Sequence, residues 1–455
     1  MRITVAAALA LSIMISPAAF AAGGSGLSDK PIPMKQDKDL PKRTPPLLEI
    51  GPRFLDTGNI DPGIELPTGA IWQPALWVFG DFRSAIGYFD NGPGPENQEW
   101  ANRLELFANL QFTPTERFLL GFSPFRRGGN FTGYTRRGAS EDSFNSEFNA
   151  DITTFFFEGE FGEIFPNLDP DDRGSFDVGF AIGRQPIFFQ EGIMINDTID
   201  AIGITRDTIL IPGLSPDLRV TALYGWNDID RNDNREDDDA HIVGLFTETD
   251  FRWNTLNVDF AYVLSTAGGG GDTALFGVGS TQRIGHYNST IWANVSWAPD
   301  ERGPRSDNGA VIFTTLSRTL PYSEDIVYVN AFWGIDNYTS AARGATTGGP
   351  LGQMGLLYAA VGLGNYGAAL SNRPDDAVGL SAGYQLFFNN DRTQLVLELG
   401  GRQPTVSNQN AAVAAGARLQ FAIGRRYVLQ FDGFVSQQEG GINGAGLRSE
   451  FAVRF

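Results

Sequence analysis

The side chains of this chain alternate between apolar and polar over many short stretches, and this alternation limits the folds open to it. Leu256, Val258 and Phe260 share one parity. Asn257 and Asp259, which lie between them, take the other. Successive side chains of a β-strand point to opposite faces, so the pattern predicts strands with one apolar and one polar face. Such strands build either a soluble sandwich with an apolar core or a membrane barrel whose apolar face meets lipid.

The alternation begins near residue 73 and recurs to the end of the chain, with further examples at 104–112, 155–161 and 327–333. The connections between these stretches are alternately short and long, which is typical of an up-and-down antiparallel sheet. Counting them gives about eighteen strands, with a total of roughly 16 or 20 strands as the alternatives. The predicted fold class is therefore all-β: a transmembrane antiparallel up-and-down β-barrel.

The first residues have the pattern of an export signal. Arg2 supplies a positive charge, 3–15 is a mostly apolar run, and the small residues Ala19 and Ala21 have the spacing of a cleavage site. These features predict a secretory signal peptide at residues 1–21. A membrane anchor is the alternative, but 13 apolar residues fall short of the ~20 that a spanning helix needs.

The next segment, 22–72, is rich in Pro, Lys, Asp and Gly, a composition that disfavours a packed core of its own. We expect a periplasmic N-terminal tail here. Its part 47–71 is more apolar and could fold against the barrel. The outer-membrane β-barrel itself is predicted at 73–455.

The charge of the chain limits its partners and its chemistry. There are 34 Lys and Arg residues against 53 Asp and Glu, a formal net charge of −19. Because no basic patch exists to neutralise phosphates, nucleic acid is not expected as a partner. Only His241 and His286 are present, and they stand in no catalytic arrangement. The chain is therefore not expected to be an enzyme.

The chain ends in an alternating strand whose last residue is aromatic. Phe451, Val453 and Phe455 share one face of it. This ending resembles the C-terminal β-signal that the barrel-assembly machinery of the bacterial outer membrane reads. The resemblance implies that these three residues are an assembly signal. It also implies that outer-membrane lipid and lipopolysaccharide surround the barrel.

The strand count, this ending and one short motif together resemble the bacterial outer-membrane porins. The motif is Gly183-Arg184-Gln185 at the end of a strand, before an apolar loop and a strand that carries Arg206. The similarity is to the eighteen-stranded alginate-export and substrate-specific porins. It implies a passive diffusion channel for small hydrophilic solutes, such as carbohydrates or organic anions. The acidic charge of this chain departs from alginate exporters, which have a positive lumen.

A different class of function stays open beside the channel. A barrel can also be a structural or partner-binding element, such as the sheath of an export or electron-transfer conduit. The alternation and the charge fit both functions equally. Conductance across a bilayer separates them, because only the channel passes ions.

Charged residues of inward parity predict the lining of the lumen. Arg83 and Arg103 lie on the first two strands, and further arginines lie on the last four. Because closure makes these strands neighbours, we expect one arginine arc with interleaved carboxylates. The arc either selects solutes by charge or consists of ion pairs that neutralise one another. Its predicted members are Arg83, Arg103, Glu105, Glu398, Arg402, Arg418, Asp432, Arg448, Glu450 and Arg454.

The connection at 186–198, after the fifth strand, is unusually apolar for a loop in water. Folding inward against the wall would bury its apolar side chains. We therefore expect it to form the constriction and to present Glu191, Asn196 and Asp197 to the lumen. Contact with a neighbouring protomer in a homo-oligomer is the alternative.

The acidic loop 228–239 partly resembles a calcium-binding loop, with oxygen ligands at positions 1, 3, 5 and 12. Asp233 stands where the glycine of such loops belongs, which favours a solvated surface loop. Surface Ca²⁺ that bridges the loop to lipopolysaccharide is a middle case, and no other cofactor is expected. The candidate ligands are Asp228, Asp230, Asn232 and Asp239.

Overall fold

The computed structural model describes residues 43–54, 62–92, 94–138, 142–171, 174, 176–213, 215, 217–266, 268–407 and 410–455. The signal peptide predicted at 1–21 lies outside these residues. Eighteen strands form one closed antiparallel sheet. In chain order they are β1 (Ala75–Asp90), β2 (Asn97–Gln111), β3 (Arg117–Phe122), β4 (Ile152–Glu160), β5 (Gly179–Phe189), β6 (Ile195–Arg206), β7 (Asp217–Asn227), β8 (His241–Asp250), β9 (Asn254–Leu264), β10 (Thr273–Ile284), β11 (Tyr287–Trp297), β12 (Gly309–Thr319), β13 (Ile326–Asp336), β14 (Ala377–Phe388), β15 (Thr393–Pro404), β16 (Ala412–Ile423), β17 (Tyr427–Gln438) and β18 (Ile442–Arg454).

Strand β18 pairs with β1 and closes the sheet. The register ends with Arg454 opposite Asp81. Beyond it, Phe455 and Gly80 exchange two backbone hydrogen bonds of 2.7 and 3.0 Å. Closure pairs both edges of the sheet, which would otherwise present unpaired backbone groups. The predicted all-β up-and-down barrel with eighteen strands is confirmed.

The two ends of the barrel differ in their connections. Tight turns such as 285–286 and 389–392 dominate one end, the turn end. The long connections 123–151, 228–240 and 337–376 lie at the other, the loop end. Further short elements are the strands Leu48–Ile50, Ile64–Glu65, Ile71–Trp72, Arg126–Arg127, Asn130–Arg137, Ser143–Asn145 and Ala342–Arg343, the helix α1 (Phe161–Ile164) and the 3-10 helices Pro166–Leu168 and Pro350–Met354.

The outer and inner faces of the sheet differ in chemistry, as the alternation predicts. Val329 and Leu447 point outward and are exposed, although both are apolar. Asn330 and Arg448, next to them in the chain, point inward and are buried. Soluble proteins rarely expose a continuous apolar band, so this outer face is suited to lipid. Within the described ranges, none of the helices has the length and hydropathy of a membrane span.

Aromatic side chains lie on the outside near both ends of the barrel. Trp253 and Tyr322 occupy turns at the turn end, and both are highly exposed. Trp100 and Trp297 lie on strand segments near the loop end and are also exposed. Aromatic girdles of this kind mark the two membrane–water interfaces of transmembrane barrels.

Candidate functional site

The hairpin of β5 and β6 bends into the barrel and reaches strands that are not its neighbours in the sheet. The Phe189 ring stacks on Phe246 of β8 with ring centroids 3.5 Å apart. Gln190 Nε2 donates to the Asp259 carboxylate of β9 at 2.7 Å. Asn294 of β11 donates to Gln190 Oε1 at 3.4 Å. The hairpin tip therefore narrows the lumen on the side of β8 to β11.

The apolar sequence of this hairpin explains its inward course. Ile193, Met194 and Ile195 are almost completely buried, as they would not be in an exposed loop. The bounds predicted for the connection, 186–198, are wrong. Strands β5 and β6 stay in register up to Phe189 opposite Ile195, which leaves only five residues for the turn.

The sequence grouped Glu191 with Asp197 on the lumen, but the structure separates them. Glu191 is exposed at the hairpin tip. Asp197 is 8% exposed, and its carboxylate accepts hydrogen bonds from the backbone N–H of Thr198 at 2.7 Å and of Asp230 at 2.8 Å. The connection 228–240 thus covers Asp197. Its carboxylate anchors this connection instead of facing the open lumen.

The connection 337–376 also folds into the barrel. The backbone N–H groups of Leu356 and Leu357 each donate to the Glu398 carboxylate of β15 at 2.9 Å. Tyr328 of β13 donates to the same carboxylate. Gly355 has φ +128°, and a Cβ there would lie 2.3 Å from a Glu398 oxygen. Only glycine fits this close approach.

From Glu398, the same connection continues past β16 to β18 and reaches the wall of β1 and β2. Arg83 Nη2 donates to the carbonyl of Val361 at 3.3 Å, and Arg103 Nη1 to that of Gly362 at 3.1 Å. The two arginines therefore hold the connection as well as lining the wall. The connection lies between the arginine arc and β13 to β15.

The arginine arc is a series of ion pairs across β16, β17, β18 and β1. Arg418 contacts Asp432 at 2.6 Å, and Arg448 contacts the same carboxylate at 3.0 Å. Arg448 also pairs with Glu450. Glu450 pairs in turn with Arg83 at 2.7 Å. Closure and parity thus bring these five side chains together, and the two carboxylates offset most of the charge of the three arginines.

Three other predicted arginines differ in their surroundings. Arg103 pairs with Glu105 on its own strand. Arg402 joins no carboxylate in the described structure; it donates to the carbonyls of residues 371, 373 and 375 and lies over the Phe332 ring at 5.8 Å. Arg454 is exposed close to the turn end. Arg402 is therefore an anchor of the long connection, and Arg454 lies away from the ion-pair series.

Arg343, which the sequence reasoning missed, links the inward segments. It is almost completely buried, and its guanidinium donates to the carbonyls of Gly192 at 2.6 Å, Gly348 at 2.8 Å and Gly349 at 2.9 Å. Burial lowers the pKa of Arg343 to about 10. Ala342 and Arg343 also pair with the start of β6 as a parallel strand. No periodicity marks a loop residue of this kind in the sequence.

The loop 228–239 is not the solvated surface loop that the sequence favoured. Ile229 and Arg231 are completely buried, and Arg231 pairs with Asp237 at 3.0 Å. The described residues contain no group of three or more acidic or histidine side chains that could hold a metal. The four candidate calcium ligands bind separate partners: Asp228 contacts Arg184, Asp230 accepts from the N–H of Ala345, Asn232 accepts from the N–H of Ser340, and Asp239 accepts from Thr266.

Solved structures from Pseudomonas aeruginosa share this architecture. OccK7 (OpdD) has a TM-score of 0.55 at 10% sequence identity, over 84% of this chain and 98% of that one. OccK2 (OpdF) in complex with glucuronate has a TM-score of 0.54 at 11% identity, with the same coverages of 84% and 98%. OpdK with vanillate has a TM-score of 0.52 at 10% identity, over 83% and 98%. No protein-family model and no curated protein sequence matches the chain. The chain has the fold of the Pseudomonas OccK and OpdK substrate-specific outer-membrane porins.

Proposed function

We propose that the chain is a porin of the bacterial outer membrane, through which small hydrophilic solutes diffuse passively. The observation that carries this proposal is the closed barrel with an apolar outer face and a charged inner face. An eighteen-stranded barrel encloses a lumen wide enough for water and solutes unless inner segments fill it. The aromatic girdles at both ends support its place in a bilayer with lipid and lipopolysaccharide outside.

Two inner segments, the β5–β6 hairpin tip and the connection 337–376, set the width of the passage. Charged groups across a narrow aqueous passage lie within the ~8 Å screening length of physiological salt. Their fields therefore act on a passing solute. Selection by charge is expected from Glu191 at the hairpin tip and from the wall that carries Arg103 and Arg418.

The ligands in the related structures are compatible with this proposal. Glucuronate is bound in one of them and vanillate in another. Both are small organic solutes with polar groups. We propose the same size class for this chain, without assigning it either compound.

A channel without catalytic activity fits the positions of the two histidines. His241 begins β8 and contacts the hydroxyl of Tyr224 at 3.2 Å. His286 lies in the two-residue turn between β10 and β11. The two residues are thus at opposite ends of the barrel. Neither belongs to the inner charged wall.

Single-channel recording of the purified, folded protein in a planar bilayer tests the proposal. Discrete conductance steps are expected from the folded barrel and not from a heat-denatured sample. Shortening the connection 337–376 should increase the size of the steps, because that segment crosses the lumen. Folded protein that inserts into the bilayer and shows no steps would favour the structural or partner-binding barrel.

A further inference from the structure

A cavity of about 620 Å³ lies between the hairpin tip and the inner wall of β7 to β11. Its size is that of a small-solute site. The hairpin contributes Phe188 and Glu191, and the wall contributes acidic side chains and Trp292. The cavity is thus built from both elements that narrow this side of the barrel.

The charge in this cavity is negative. Four carboxylates line it, and Arg219 is the one basic residue among its lining residues. Arg219 is already paired with Glu248 at 3.3 Å. Asp259 is occupied by Gln190 and by the backbone N–H of Thr247. The remaining carboxylates therefore give the cavity an excess of negative charge.

Glu191 is the carboxylate best placed to receive a ligand. It has no hydrogen bond or ion pair with any of the described residues. Although the Glu191 side chain is exposed, the cavity removes part of the water around its carboxylate, and without a neighbouring cation this desolvation raises the pKa of Glu191. A bound cation would supply the missing counter-charge and favour the ionised form.

Trp292 provides a second, independent indication of a ligand. Its side chain is only 4% exposed, yet its Nε1–H has no hydrogen-bond partner. A buried indole N–H normally finds an acceptor. A hydroxyl oxygen of a solute in the cavity would satisfy this donor. Phe188, which is 50% exposed, adds an aromatic face that can interact with a cation.

On the opposite wall, the arginine arc offers little free positive charge. Arg83, Arg418 and Arg448 share the carboxylates of Asp432 and Glu450. The stronger unbalanced charge is thus the negative charge of the cavity. We propose that this cavity is a binding site for a small hydroxylated cation, such as a protonated amino sugar. This inference rests on the proposed channel and names the solute class that it selects.

Three hexose derivatives that differ mainly in charge test the proposal: glucosamine, which is protonated at neutral pH, glucose and glucuronate. Calorimetry on the folded protein in detergent measures binding, and current block in a planar bilayer measures occupancy. Glucosamine is expected to bind most tightly. Glu191→Gln should weaken its binding about tenfold, the loss expected for one charge-assisted hydrogen bond. Trp292→Phe, which keeps an aromatic ring and removes the donor, should weaken the binding of glucosamine as well.

The matched control is Glu439→Gln, which neutralises an exposed carboxylate in the turn between β17 and β18. It should leave glucosamine binding unchanged. Conductance without preferential glucosamine binding, or equal weakening by Glu191→Gln and Glu439→Gln, would overturn the site and leave the channel intact. Glucosamine binding that depends on Glu191 in a barrel without conductance would support the site and overturn the channel.

Discussion

The backbone N–H of Leu357 donates to the buried carboxylate of Glu398 at 2.9 Å, which ties the connection 337–376 to the inner wall of β15. The neighbouring N–H of Leu356 makes the same contact. Each hydrogen bond to a charged group contributes about 1.5–3 kcal/mol. This pair of contacts is therefore one of the anchors that hold the connection across the lumen.

Glu398→Ala should release this connection and increase single-channel conductance. Loss of the two hydrogen bonds is expected to destabilise the docked connection by about 3 kcal/mol. The current through the open channel should then fluctuate more often. Gly355→Ala should act in the same direction, because its Cβ would collide with the Glu398 carboxylate. Glu439→Gln, in the exposed turn between β17 and β18, is the control and should leave the conductance unchanged. Wild-type conductance in both variants, with folding intact, would show that the connection is held elsewhere.

The outward face of the barrel can be tested by placing charges on it. Leu106→Arg and Val329→Arg should each lower the free energy of unfolding in liposomes by about 2–4 kcal/mol, because the charge would face lipid near the midplane. Gln394→Arg is the control, since Gln394 shares the inward parity of Glu398 on β15. Its effect should be much smaller. Equal losses for the inner and outer variants would contradict the facing assignment.

The sequence was sufficient for the barrel and for much of the arginine arc. Period-two alternation fixes which side chains share a face, and closure makes the first and last strands neighbours. The contact of Arg83 with Glu450 follows from these two facts. The register between the strands fixes the distances within this ion pair, but it does not change which residues face the lumen.

The interior segments could not be predicted in the same way. The burial of Asp197 depends on the connection 228–240, and that of Arg343 depends on three carbonyls in two separate segments. Loop packing of this kind follows shape and hydrogen bonding, and it leaves no period in the sequence. The apolar composition of 186–198 indicated an inward course, but it did not show which carboxylate would remain accessible.

Ion selectivity should separate the accessible charges from the covered ones. Glu191→Gln should move the permeability ratio toward anions by roughly twofold, equivalent to about 0.4 kcal/mol. Asp197→Asn should have little effect, because that carboxylate is covered. Neutralising Arg83, Arg103 and Arg418 together should move the ratio toward cations. Reversal potentials in a salt gradient give these ratios.

The control for this series is the double variant Arg117→Gln/Glu158→Gln, an ion pair between β3 and β4 that contacts neither inner segment. It removes one ion pair without changing the net charge of the wall, so its reversal potential should match that of the wild type. A shift in Asp197→Asn as large as that in Glu191→Gln would contradict the assigned burial. No shift in either Glu191→Gln or the triple arginine variant would place the selective charges on the connection 337–376.

The docking of the connections at the loop end should depend on pH through Asp230. Burial raises the pKa of Asp230 to about 6, although its carboxylate accepts a hydrogen bond from the N–H of Ala345. A raised carboxyl pKa means that the docked state binds the proton more tightly than the undocked state does. Protonation of Asp230 therefore stabilises the docked state fully below about pH 4, and this stabilisation is lost as the pH rises through about 6.

Hydrogen exchange around Ala345, corrected for the intrinsic rate, should be slower at acid than at neutral pH. Asp230→Asn keeps an acceptor and cannot titrate, so an unchanged pH dependence in that variant would assign the effect to other groups, such as Glu236.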